Sequence, residues 1–224
     1  MHDQVVSLGS NSISISVEAL AAESYPDLIK ARRAGKKYQP VVGNERAISV
    51  SYKDLLVVTR FHGRPFGPVA SAIDKRLGGS LEQAVENSSF RARQGETMIF
   101  ELEARGLGSG NARRILVIGL GDPALCGQFV YCGLIGCVIE ECINLEPEQV
   151  ILLLNDLQDN NIRVQEENFA RVLSCRVAHH LSTQAEHGHL KKIRLVVAPD
   201  VKDRVEASFT ARQSVCQICS NPNL

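Results

Sequence analysis

The sequence of 224 residues has no net charge to spend on a polyanion, because 25 Lys and Arg balance 25 Asp and Glu. Without a bulk positive field, nucleic acid has no long-range reason to approach. Aromatic residues make up only 5% and tryptophan is absent, so platforms on which bases stack are scarce. A nucleic-acid partner is therefore not expected, although Arg91, Arg93, Arg105, Arg113 and Arg114 form a local basic patch. Long hydrophobic runs are missing as well. The longest covers residues 129–139, 11 in all, against the roughly 20 that a bilayer crossing needs. The chain opens with the polar MHDQVVSLGSNS, which has no apolar stretch of the kind a secretory leader carries. These absences point away from a membrane and towards the cytoplasm.

The 7 cysteines do not form a disulfide framework, since their number is odd and four of them, Cys126, Cys132, Cys137 and Cys142, crowd one short stretch at and just before a predicted helix. Buried free thiols are the plain reading. Catalytic signatures are equally sparse. There is no Gly-x-Ser-x-Gly elbow and no ordered Cys/His/Asn set. Asp54, Asp74, Asp122, Asp156 and Asp200 fall near predicted element ends without the spacing of a metal cluster, and helix capping or solvation accounts for them. Cys216-Gln-Ile-Cys219 and the histidines at 179, 180, 187 and 189 do not come as two close ligand pairs. No catalytic residue, no metal site and no cofactor is expected.

What is present is an alternation of strands and helices. Ile13, Ile15 and Val17 share one face of a strand over 12–20. Residues 48–61 contain a second strand, whose Leu55-Leu-Val-Val58 run is apolar on both faces, as in the interior of a covered sheet. Val69, Ile73 and Leu77 repeat at helical spacing from Pro68, and Gly78-Gly79 stops that helix. A short helix over 81–86 follows, then strands over 96–102 and 114–120, joined by a glycine-rich hairpin-like loop. A deeply buried helix over 128–144 leads to a strand over 149–154, a helix over 165–181, a strand over 193–197 and a last helix from Val201 to about Cys219. Only residues 23–46 break the rhythm, with Pro26, Pro40, Gly35 and Gly43 around a basic run at 30–37; this reads as an inserted exposed loop. No linker divides the chain, so residues 1–224 are read as a single domain. The pattern predicts an α/β three-layer sandwich, with a mixed, mostly parallel sheet of about six strands and helices on both faces.

Ordered motifs sharpen that reading. They are Asp54-Leu-Leu-Val-Val58, the Phe61-His-Gly63 turn, Ala70-Ser-Ala-Ile-Asp74 on a helix, and the Leu77-Gly-Gly79 stop. A Gly-Glu-Thr segment ending at Thr97, the strand Arg114-Ile-Leu-Val-Ile-Gly-Leu-Gly121, and Cys132-Gly-Leu-Ile-Gly136 follow in order. In this succession the chain resembles the N-terminal domain of the leucyl, or cytosol, aminopeptidase family. The resemblance implies a macro-domain-like fold. It also implies that the catalytic half of the family, with its two-zinc site and Asn-Thr-Asp-Ala-Glu-Gly-Arg motif, is not represented, because no such string occurs. The expectation is a non-enzymatic domain serving protein–protein assembly or regulation, through a protein partner or self-association. Two alternatives stay open. One is a macro-like module binding a nucleotide or ADP-ribose; the other is a fragment of a zinc leucyl aminopeptidase. For a ligand or interaction loop the candidates are Phe61, Gly63, Arg64 and Gly67 after one strand, and Gly119, Gly121 and Asp122 after another, where glycines let backbone N–H groups face a phosphate.

Overall fold

The computed structural model describes residues 4–8, 11–19, 54–102, 113–125, 128–154, 166–183 and 189–210. The expected inserted loop at 23–46, the glycine-rich loop at 104–111, and Cys216 and Cys219 lie outside these residues. Among the described residues, seven strands form one sheet: β1 (Gln4–Leu8), β2 (Asn11–Ala19), β3 (Asp54–Arg60), β4 (Thr97–Leu102), β5 (Arg113–Gly119), β6 (Gln149–Leu153) and β7 (Lys192–Val197). Their order is β1-β2-β7-β6-β3-β5-β4. The middle five are mutually parallel, while β1 pairs antiparallel with β2 and β4 antiparallel with β5. The mixed, mostly parallel α/β sandwich predicted above is therefore present, with β1 in addition to the strands foreseen. That strand, QVVSL, is too short and too polar to carry a two-residue alternation that stands out.

Alternation along the central strands divides the core in two. On one face Leu55, Val57, Leu116, Ile118, Val150, Leu152, Ile193 and Leu195 pack against α3 (Gln128–Leu145), α4 (Glu166–Thr183) and α5 (Lys202–Thr210). On the other, Leu56, Val58, Ile115, Val117, Ile151 and Leu153 pack against α1 (Pro68–Arg76) and α2 (Ser80–Asn87). The parallel strands are buried on both sides because their crossovers place helices on both faces. This explains why Leu55, Val57, Val58, Leu116 and Val117 have no exposed surface at all.

The family motifs prove to be joints between elements. Pro68 opens α1, where its missing N–H costs nothing. At the far end Gly78 and Gly79 adopt positive φ. They turn the chain so that the Asp74 carboxylate accepts the N–H groups of Leu81 and Glu82 at 2.8 and 3.2 Å. Asp74 thus satisfies donors at the start of α2 that no residue within that helix supplies a partner for. The Ala-x-x-x-Asp and Leu-Gly-Gly motifs form one helix–helix corner.

Candidate functional site

Parallel α/β sheets present their loops for function at the carboxyl ends of the strands. Here the turns after β3 and β5 meet at that edge and are joined by the stretch leading into β4. Leu120 N–H donates to the Arg60 carbonyl at 2.9 Å and His62 N–H to the Gly121 carbonyl at 2.9 Å. All the sequence-predicted loop residues after β5 thus stand beside those directly after β3. Phe61 is buried at 6% exposure, whereas His62, Gly63 and Arg64 are exposed.

Within this cluster the β5 turn is closed by backbone. Gly121 N–H donates to the Ala92 carbonyl and Gly95 N–H to the Gly119 carbonyl, both at 3.0 Å, while Gly119 N–H donates to the Glu96 carbonyl at 2.8 Å. A Cβ on Gly119 would run into the Arg93 carbonyl oxygen and lie 2.7 Å from Ala92 Cα. A Cβ on Gly121 would stand 3.1 Å from Gln94 Cβ. These glycines let two chain segments cross in contact, and their N–H groups are already donated. Asp122 turns its carboxylate onto Ala124 N–H at 2.9 Å and starts a 3-10 turn over Pro123–Leu125.

The crossing segment is itself held by Glu96, a residue that reasoning from sequence left without a role. Its carboxylate accepts Arg91 N–H at 2.8 Å and Arg93 N–H at 3.0 Å. Partial desolvation pushes this carboxyl up, but the two N–H donors and the Arg93 and Arg91 guanidinium charges outweigh it, so its pKa lies below the ordinary value. The loop so held places Ala92 at φ +55°, a left-handed conformation that costs a non-glycine residue about 1 kcal/mol or more. His62 Nδ1 contacts the Arg91 carbonyl at 2.7 Å and ties the β3 turn to the same loop. The neighbouring Gly-Glu-Thr residues are used too. Cys137 Sγ lies 3.6 Å from the Gly95 carbonyl, and Thr97 Oγ1 donates to Glu141 Oε1 at 2.9 Å. Both contacts lock the loop onto α3. The signal in the sequence was the Gly-Glu-Thr string itself, whose structural use only becomes visible once β4 lies beside β5.

The β3 turn is different. A Cβ on Gly63, at φ +67°, would meet nothing within 4 Å. Arg60 stabilises the turn from below: its Nε donates to the Arg64 carbonyl at 2.8 Å, its Nη1 pairs with Glu82 at 2.9 Å, and its guanidinium lies 4.9 Å from the Phe66 ring centroid. The surface above Gly63 is open and carries the exposed His62 and Arg64.

Metal chemistry finds no cluster among the described residues, where no group of three or more His, Cys, Asp or Glu side chains converges. Asp54 is buried at the start of β3 and Asp200 is exposed in the 3-10 turn at Pro199–Val201. His189 faces Glu146 at 3.5 Å on an exposed surface. Burial and the nearby Glu141 raise the Cys142 thiol to about 12, which makes it an inert packing group. Among the described residues no helix is long and apolar enough to cross a membrane.

Comparison with known proteins agrees with this geometry. Two solved macrodomains cover most of the chain: one from Oceanobacillus iheyensis at TM-score 0.57 and 11% identity, covering 94% of this chain and 97% of its own, and one from Trypanosoma brucei solved with ADP, at TM-score 0.54 and 12% identity, covering 88% and 68%. At such identities the likeness establishes the macro-like fold. A tomato leucine aminopeptidase variant matches at TM-score 0.56 and 14% identity, over 88% of this chain but 35% of that one. A probable cytosol aminopeptidase of Syntrophotalea carbinolica is 36% identical over 86 residues, which are 38% of this chain and 16% of the relative. The chain thus aligns with only a minor part of these aminopeptidases. The family model for the N-terminal domain of cytosol aminopeptidases matches residues 57–179, more than half the sequence and every motif from Phe61 onward, and on that ground the chain belongs to the cytosol aminopeptidase family through its N-terminal domain.

Proposed function

We propose that this chain is a non-catalytic module that serves assembly or regulation through a protein partner or through itself, in the cytoplasm. The observation that carries this reading is the use made of the family motifs. Asp74, Gly79, Glu96, Thr97, Gly119 and Gly121 are each engaged in joining elements. They build a scaffold whose motif side chains are used in joining its elements, leaving the exposed surface to meet other molecules. The family match supports the same view, since it falls on the N-terminal domain. The test is to mix the purified chain with a full-length cytosol aminopeptidase and follow co-elution together with leucine-amide hydrolysis. A stable complex, with hydrolysis supplied only by the full-length enzyme, is expected. Hydrolysis by the chain alone with added zinc or manganese would instead favour a fragment of the enzyme.

A second reading is kept by one feature, the open β3 turn at residues 61–67. Its exposed His62 and Arg64 beside the unencumbered Gly63 could receive an anionic ligand such as ADP-ribose in a macro-like module. Calorimetry with ADP-ribose decides it: measurable saturable heat supports this reading and the absence of heat removes it.

A further inference from the structure

We propose that β4 is a self-association edge, pairing antiparallel with β4 of a second copy of this chain about a two-fold axis at Ile99. The inference rests on the assembly reading above and names the surface it would use. β4 is the outermost strand beyond β5, and among the described residues no strand pairs with its other side. Which residues face outward follows from the ladder. Gly119 N–H donates to the Glu96 carbonyl at 2.8 Å, one step before the register in which Thr97 faces Ile118 and Met98 faces Val117. Hydrogen-bonded and non-bonded pairs alternate in an antiparallel ladder. Met98 and Phe100 therefore direct their N–H and C=O groups to β5, and Thr97, Ile99 and Glu101 direct theirs off the sheet.

Natural edges are usually blunted by proline, lysine, a bulge or an unbalanced charge. The sequence TMIFEL contains neither proline nor lysine. Its one charge, Glu101, stands opposite Arg114, a residue of opposite sign, in the β4–β5 register. Met98, Ile99 and Phe100 stay half-buried, while Ile115, Leu116 and Val117 beside them on β5 are at most 1% exposed. An apolar edge of this kind gains from a further strand.

Self-complementarity selects a second copy as that strand. With Ile99 opposite Ile99 of the other copy, Thr97 faces Glu101 of the other copy, and the reverse contact repeats by symmetry. No like charges meet in this register. Centring the pair on Glu101 would bring two carboxylates face to face, which cross-strand energetics disfavour. The centred register thus satisfies the outward-facing backbone groups and avoids charge repulsion.

Sedimentation of the whole chain across a micromolar concentration series tests the pairing. A reversible monomer–dimer equilibrium is expected, with the dimer lost in Ile99→Lys and in Ile99→Pro. Both variants should keep the wild-type circular dichroism, because the Ile99 N–H makes no bond to β5, while their thermal midpoints fall somewhat, because the Ile99 side chain packs against the core. In the wild type, exchange of the Thr97, Ile99 and Glu101 amides should slow as concentration rises. A chain that stays monomeric, a dimer that both folded variants retain, or amide exchange that ignores concentration overturns the proposal. The amide measurement alone decides the matter if both variants unfold. A monomer that still co-elutes with full-length aminopeptidase would overturn the edge pairing and leave the assembly reading standing.

Discussion

After β3 the chain turns through Gly63 with open space beside it, whereas after β5 it turns through Gly119 and Gly121 against the backbone of residues 92–94. The two turns lie at the same end of one sheet, are tied by a hydrogen bond from His62 N–H to the Gly121 carbonyl, and look alike as glycine-bearing loops. Their glycines answer different needs. Gly119 is demanded by the close approach of another segment, and Gly63 only by its own positive φ. A glycine in a loop is therefore a ligand signal only if its N–H and its open side remain uncommitted. Among the described residues, Gly63 keeps its open side, whereas Gly119 and Gly121 have donated their N–H groups and face residues 92–94.

The comparison can be broken most forcefully at Gly119. Gly119→Ala forces a methyl group onto the Arg93 carbonyl and should lower stability by about 3 kcal/mol, the upper end for overpacking, read as a denaturation midpoint shift at unchanged m-value. A loss no larger than that of Gly63→Ala would mean the two turns are equivalent after all. Asp74→Ala removes the acceptor for Leu81 and Glu82 and should cost about 1 kcal/mol, as helix caps do, with α2 amides exchanging faster than those of α3. Gly63→Ala keeps the open space and pays only for the left-handed backbone, again about 1 kcal/mol; it should leave the β5 turn's amide protection intact.

Acid titration of Glu96 sharpens the same contrast with a smaller effect. Its folded pKa is lowered below the ordinary 4.5, so its contribution is fully present above the unfolded pKa and fades as pH falls through the folded one. Stability of the wild type should therefore fall more steeply in acid than that of Glu96→Gln, and the two curves should converge at low pH. Parallel curves would show that the carboxylate does not hold the loop.

Reading from sequence succeeded where a local period or a specific string reported a local need. The Leu55-Leu-Val-Val58 run marked a strand covered on both faces, and the 69, 73, 77 spacing marked α1, whose observed span is Pro68–Arg76. The helix at Gln128–Leu145 was legible from its uninterrupted apolar content. The candidate site was only half legible. Its residues do converge at one sheet edge, but the sequence of Gly119-Leu-Gly121 cannot show that residues 92–94 occupy its open side. The role of Glu96 is illegible in the sequence for the same reason: its partners are main-chain N–H groups, which every residue but proline carries and no sequence pattern distinguishes. The short β1 escaped because its membership depends on pairing with β2 rather than on its own composition.

The sequence by itself determined the alternation of elements, the two-sided burial of the parallel strands and membership of the cytosol aminopeptidase family's N-terminal domain. Those properties are written in side-chain period and in motif order, which act over a few residues. Tertiary structure alone decided the strand order, the closure of the β5 turn, the Glu96 clasp and the outward-facing groups of β4. Each of these depends on contacts between main-chain segments, and main-chain hydrogen-bonding groups are the same in nearly every residue, so only their meeting in space tells them apart.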